Sequence, residues 1–239
     1  MTTHTLLVAR SVTHTGGHDA VHRLAAEVTR ALDRPVHACF LDGAAPSLHD
    51  ALDAAQEQEA TEVVLVPTHL PPDRRLDVWL RRAHADWATS RADGRHLPRV
   101  SVSTPLASAP ALVTAIIATL DEPTTPLDGD PGPFRSPVWS AITTHRRHVL
   151  VCRGPRCTAY GANRTADALT RALTANTLGD DDVLVTDAGC LFPCNLGPLV
   201  VVHPDDTWYS HVDPELAKRI VTEHLLHDRP INHRISRRR

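Results

Sequence analysis

At 239 residues the chain is long enough for one large domain or two of ordinary size. Its 42% hydrophobic and 22% charged residues suit a globular protein, and a formal net charge of −3 gives no reason to expect nucleic acid as a partner. No run approaches the roughly 18 apolar residues of a membrane-spanning helix. Met1-Thr2-Thr3-His4 also lacks the basic start of a signal peptide, so a cytoplasmic location is expected.

The first half alternates strand-like and helix-like segments. Leu6-Leu7-Val8-Ala9 reads as a strand, residues 19–32 as a helix, and residues 36–41 as a second strand. Pro46 opens a helix to about residue 59, with Ser47 and acidic residues near its start. Val63-Val64-Leu65-Val66 is the third strand, followed by an amphipathic stretch over residues 76–87, a strand at Val100-Ser101-Val102 and a helix near 109–120. This alternation predicts an α/β domain whose parallel sheet is covered on both faces. Ligands of such sheets bind beyond the carboxyl ends of the strands, which gathers the segments 10–18, 42–46 and 68–75 around one cleft.

Pro123, Pro126, Pro131, Pro133 and Pro137, with Gly129 and Gly132, make residues 122–145 a linker, because proline removes backbone donors and glycine is costly to order. The expected organisation is therefore a first domain over 1–121, a linker over 122–145, a second domain over 146–231 and a basic tail over 232–239. Within the second domain His148-Val149-Leu150-Val151 is a strand, 163–175 a helix and Val183-Leu184-Val185 another strand. A hairpin follows, turning at Pro204-Asp205-Asp206, and then a helix with Asp213 as its N-cap and Pro214 at its first position. That βαβ–ββα order is that of a thioredoxin-like fold.

Cys152 and Cys157 form a C-x4-C clip at the end of the first of these strands, and Cys190 and Cys194 a C-x3-C clip after the second. If the two strands are neighbours, the four sulfurs converge. Thiolates are soft ligands suited to iron–sulfur clusters or tetrahedral zinc, and paired thiols also serve dithiol chemistry. Structural zinc usually prefers C-x2-C clips, and catalytic dithiols favour the C-x-x-C spacing that is absent here. Cys39, between Ala38 and Phe40 in a strand, reads as a buried core thiol, and Trp208 and Tyr209 as packing of the hairpin.

The run from Gly189 through Cys190-Leu191-Phe192-Pro193-Cys194-Asn195-Leu196-Gly197-Pro198 to Asp205, with Trp208-Tyr209, Val212-Asp213-Pro214 and residues 220–225, resembles the thioredoxin-like [2Fe–2S] ferredoxins. The resemblance implies a [2Fe–2S] cluster held by Cys152, Cys157, Cys190 and Cys194, one-electron transfer, and a redox partner protein. Residues 5–120 resemble the small class II sirohydrochlorin chelatases, which insert cobalt or iron into a tetrapyrrole. The carrying segments are Leu6-Leu7-Val8-Ala9, residues 38–42 with Pro46-Ser47-Leu48, and Val63-Val64-Leu65-Val66-Pro67. Both family histidines that meet the metal are replaced: Arg10-Ser11-Val12 ends the first strand, and Arg75 lies eight positions beyond Pro67. Guanidinium neither binds a divalent metal nor accepts a pyrrole proton, but it suits carboxylates. Arg10, Arg74 and Arg75 are thus candidates to hold a tetrapyrrole or another anion. His14 and His69, with His18 beside them, are the candidates for substitute catalytic ligands, and the likeness also implies pairing of two chains.

Overall fold

The computed structural model describes residues 2–11, 17–70, 73, 76–91, 96–127, 142, 144–232 and 235. His14, Arg74 and Arg75, most of the 122–145 segment and most of the 232–239 tail lie outside the described residues.

Two four-stranded sheets make the two halves. In the first, β1 (Thr3–Ala9), β2 (Val36–Phe40), β3 (Glu62–Pro67) and β4 (Arg99–Val102) run parallel in the order β2-β1-β3-β4. Along β3 burial alternates with the period of two that a strand imposes. Leu6, Val8, Val63 and Leu65 pack beneath α2 (Leu48–Glu57) and α3 (Leu76–Ser90), where Leu80 and Trp87 are fully enclosed. On the other face Leu7, Val36 and Ala38 meet Ala25 of α1 (Gly17–Leu32). Ser47 caps α2 with a reciprocal capping box to Asp50, so the helix starts after Ser47 and ends two residues sooner than its spacing predicts. The expected helix near 109–120 forms as α4 (Ala111–Leu120) but covers nothing: Val113, Ile116, Ile117 and Leu120 all stay more than half exposed.

The second half contains β5 (Arg147–Cys152), α5 (Pro155–Ala159), α6 (Ala162–Ala175), β6 (Val183–Ala188), β7 (Val200–His203), β8 (Thr207–Tyr209) and α7 (Pro214–Arg219). Its sheet has the order β6-β5-β7-β8, with β5–β6 parallel and β5–β7–β8 antiparallel, as the βαβ–ββα reading requires. Asp213 caps α7 through Leu216 N, and the chain continues as a π-helical turn over Ile220–Leu225. The core joins Val149, Val151, Val200 and Val202 of the sheet to Leu169 of α6 and Leu216, Ile220 and Leu225 of the last helix.

The halves touch directly. Gly43, held at φ +63 in the β2–α2 turn, donates its N–H to the Arg153 carbonyl at 3.1 Å and to Thr158 Oγ1 at 3.2 Å. Arg153 returns a bond from Nη2 to the Gly43 carbonyl at 2.8 Å, and Asn163 Nδ2 donates to the Ala44 carbonyl at 2.6 Å. Arg164–Asp50 and Tyr160–Asp86 pairs flank these contacts.

Candidate iron–sulfur centre

Cys152 is the last residue of β5 and stands in register with Ala188 of β6, so the Gly189–Cys194 loop begins beside it. From there the chain enters α5, which starts with Gly154 extended at the cap and Pro155 at the first position, and Cys157 sits in that single helical turn. The five-residue helix has no apolar period of its own, and the sequence spacing gives no sign of it. Cys190 and Cys194 lie in the opposite loop, their sulfurs 3.4 Å apart. All five cysteines are free thiols.

Backbone amides point at the sulfurs. Leu191 N–H donates to Cys152 Sγ at 3.5 Å, and the Gly154 and Leu199 amides favour the ionised forms of Cys152 and Cys157 respectively. The Cys157 thiol, with these amides, pulls Cys152 down to about 6, against the opposing effect of burial. Its partner Cys157 is pushed up by the same contact and by burial, so the pair gives up one proton readily and holds the second. Burial and the nearby Cys190 thiol raise Cys194, against the pull of Arg156. Leu199 and Ala162, with the partly buried Leu191 and Leu196, close an apolar collar around Cys152 and Cys157. By contrast Cys190 is exposed, next to Phe192, which is 74% exposed.

The donor set fits a binuclear iron–sulfur cluster. Among the described residues no group of three or more His, Cys, Asp or Glu is gathered to hold one metal ion. The thiols fall instead into two pairs on facing loops, the distribution that two irons sharing four thiolates require. Such a cluster takes up and releases one electron at a time. What these residues would supply is four thiol sulfurs as ligands, N–H donors that stabilise negative charge on them, and an apolar surround that excludes water from one side.

In the first half, beside the contact between the halves at Gly43, Arg10 is engaged rather than free. Its guanidinium bridges Asp42 at 2.7 Å and Asp73 at 3.0 Å, and Asp42 also accepts from Ser11 N–H. The Arg10 guanidinium is thus already held by two carboxylates. His18 hydrogen-bonds Ser11 Oγ at 2.9 Å and packs edge-on against Phe40. His69 differs: both its ring nitrogens are buried without a partner among the described residues, and burial, helped by Arg10, lowers its pKa. It lines a cavity of about 560 Å3 with Asp73, His84 and Thr104 between the ends of β3 and β4 and α3. Cys39 is fully enclosed and burial raises its thiol to about 12, as a core residue requires.

A sheet of β6-β5-β7-β8 order carrying four cysteines on adjacent loops defines a thioredoxin-like iron–sulfur protein. The family profile of the thioredoxin-like [2Fe-2S] ferredoxins matches residues 139–225, and that of CbiX matches residues 4–122. The chain is 31% identical over 93 residues to the 2Fe-2S ferredoxin of Aquifex aeolicus, covering 36% of this chain and 84% of that one. To the 2Fe-2S ferredoxin of Clostridium pasteurianum it is 27% identical over 88 residues, covering 34% and 85%. The crystal structure of the wild-type Aquifex aeolicus thioredoxin-like [2Fe-2S] ferredoxin aligns with a TM-score of 0.35 at 28% identity, over 41% of this chain and 100% of that one. The chain belongs to the thioredoxin-like [2Fe-2S] ferredoxin family, with a CbiX chelatase-like domain fused ahead of the ferredoxin domain.

Proposed function

We propose that this protein carries single electrons on a [2Fe–2S] cluster ligated by Cys152, Cys157, Cys190 and Cys194, and exchanges them with a redox partner protein at the exposed Cys190–Cys194 loop. The observation that carries the reading is the pairing of the four thiols on two facing loops under backbone N–H donors, with one side sealed by Leu199 and the other open at Cys190. The boundaries that go with it are a chelatase-like domain over 1–121, a linker over 122–145, a ferredoxin domain over 146–231 and a tail over 232–239. No helix among the described residues is long and apolar enough to cross a membrane, and the reading assigns the protein to the cytoplasm. A second copy of the chain is the proposed cover for the apolar residues of α4. Anaerobic purification of single Cys→Ser variants tests the ligand set. Each substitution at the four positions is expected to strip iron and the cluster's visible absorption, while Cys39→Ser keeps both; a variant of the four that retains full iron would remove that residue from the set.

A second reading rests on His69. A neutral imidazole with two free nitrogens, in a cavity at the strand ends, suits a divergent chelatase that inserts cobalt or iron into a tetrapyrrole. His14 is its companion candidate, and Arg74 and Arg75 remain proposed contacts for the tetrapyrrole carboxylates. Mixing the protein with sirohydrochlorin and Co2+ or Fe2+ decides: insertion above the spontaneous rate that is lost in His69→Ala supports it, and an insertion rate equal to the blank removes it.

A further inference from the structure

Where the two halves meet there is a cavity of about 520 Å3, lined by Trp79 and Arg82 of α3, His49 of α2, and Arg156, Tyr160 and Asn195 of the ferredoxin half. It exists only because the halves are joined, since each contributes part of the wall. Its volume lies in the range of small-molecule sites. Three rings border it: the Trp79 indole is half-buried against the first core, and His49 and Tyr160 stand edge-to-face at 6.4 Å. His49 is turned inward, its Nε2–H donating to the Ala83 carbonyl at 3.1 Å, and burial keeps it neutral. The acid in the wall, Asp86, accepts from the Tyr160 hydroxyl at 3.2 Å.

Among the described residues neither guanidinium in the wall is ion-paired with a carboxylate. Arg156 Nη1 donates to Asn195 Oδ1 at 3.1 Å, which is a neutral acceptor, and Arg82 points from the exposed side of α3 with no ion pair among the described residues. Aromatic faces with two guanidinium groups, against one carboxylate already engaged by Tyr160, recognise flat rings that carry negative charge. We infer that this interdomain cavity binds a planar aromatic anion, stacked on Trp79 and Tyr160 and held by Arg82 and Arg156.

The position of Arg156 couples this site to the cluster. It precedes Cys157, and it is bonded to the residue after Cys194. An anion on Arg156 neutralises a cation at the cluster's edge, favours the oxidised state and lowers the reduction potential. By linkage, reduction weakens the anion's binding by the same factor that binding disfavours reduction. This coupling rests on the proposed electron-carrying role, whereas the binding does not.

The test is calorimetric titration of the full-length, cluster-loaded protein with flavin mononucleotide as the aromatic anion, riboflavin as its form without phosphate, and inorganic phosphate. Saturable binding of the mononucleotide is expected, with riboflavin at least about tenfold weaker and phosphate alone without measurable heat. Arg82→Gln, on an exposed helical face, is expected to weaken the mononucleotide about tenfold at unchanged iron content, and Trp79→Ala to weaken both flavins. No saturable binding, or equal affinity in the wild type and both variants, overturns the proposal. A potential that falls on saturation with mononucleotide in the wild type, and needs about tenfold more mononucleotide to fall in Arg82→Gln, supports the coupling, and a bound mononucleotide that leaves the potential unmoved overturns it. A cluster that cannot be cycled, with binding intact, contradicts the electron-carrier reading and leaves the site standing.

Discussion

A methyl group at Gly197 would lie 2.6 Å from the Cys157 sulfur, whereas one at Gly189 would meet nothing within 4 Å. The backbone at Gly197, φ −69, is ordinary, so the constraint is the space the sulfur occupies and not the chain conformation. Gly197→Ala is therefore expected to lose most of its bound iron, measured per chain after anaerobic purification, while Gly189→Ala keeps it. Full iron in Gly197→Ala would mean that Cys157 can retreat. At this scale the four cysteines stand out in the sequence because their chemistry is rare and they come in two clips. The fate of Arg10 was not. Its partners Asp42 and Asp73 are 32 and 63 positions away, and residue type tells that a charge exists without telling which opposite charge the fold brings to it.

The last helix of the ferredoxin half is tied to β8 through a buried polar chain. Tyr209 and His224, both fully buried, share a bond at 2.9 Å, His224 Nε2 meets Asp205 at 3.1 Å, and Arg147 Nε donates to the same carboxylate at 2.9 Å. Burial, helped by Arg147 and opposed by Asp205, lowers the pKa of His224 below the ordinary 6.5. The unfolded chain then takes up this proton at a higher pH than the folded one. Stability is complete above about pH 6.5 and declines as pH falls toward the folded value, by up to about 1.4 kcal/mol per unit. Burial opposes the ionisation of Asp205, but Arg147 outweighs it and holds the carboxylate below its usual range, so Asp205 stays charged in this window. Urea midpoints between pH 7.5 and 5.5 are expected to fall in the wild type and to fall less steeply in His224→Gln; equal slopes would show that His224 is not the group concerned. Other buried histidines, His49 among them, act in the same direction, which is why the difference between slopes is the diagnostic. The elements themselves were largely readable, since period-two and period-3.6 patterns and the Asp213-Pro214 cap are local signals. The short α5 and the π-helical turn were not, because each is set by tertiary contacts and not by its own period. Nor did the apolar sequence of α4 reveal that its residues would remain exposed.

Across the whole molecule, Arg153 and Asn163 hold the residues beside the cluster to the β2–α2 turn of the CbiX-like domain. Asn163→Ala removes the donor to the Ala44 carbonyl in a buried contact, at a cost of about 1–3 kcal/mol. Combined with Arg153→Ala it is expected to let the halves separate, seen as a larger radius of gyration by small-angle scattering; an unchanged radius would show that the remaining contacts hold the halves together. None of this contact could be read from the chain, because a proline-rich stretch suggests a junction between two halves and says nothing about the faces they turn to each other. Electron carriage by this protein depends on a binuclear cluster that takes one electron. Reductive titration of anaerobically purified protein, followed by electron paramagnetic resonance alongside iron, sulfide and zinc analysis, tests that most directly. The account predicts two irons and two labile sulfides per chain and a paramagnetic signal that saturates at one electron. A silent protein carrying one zinc ion per chain would contradict it.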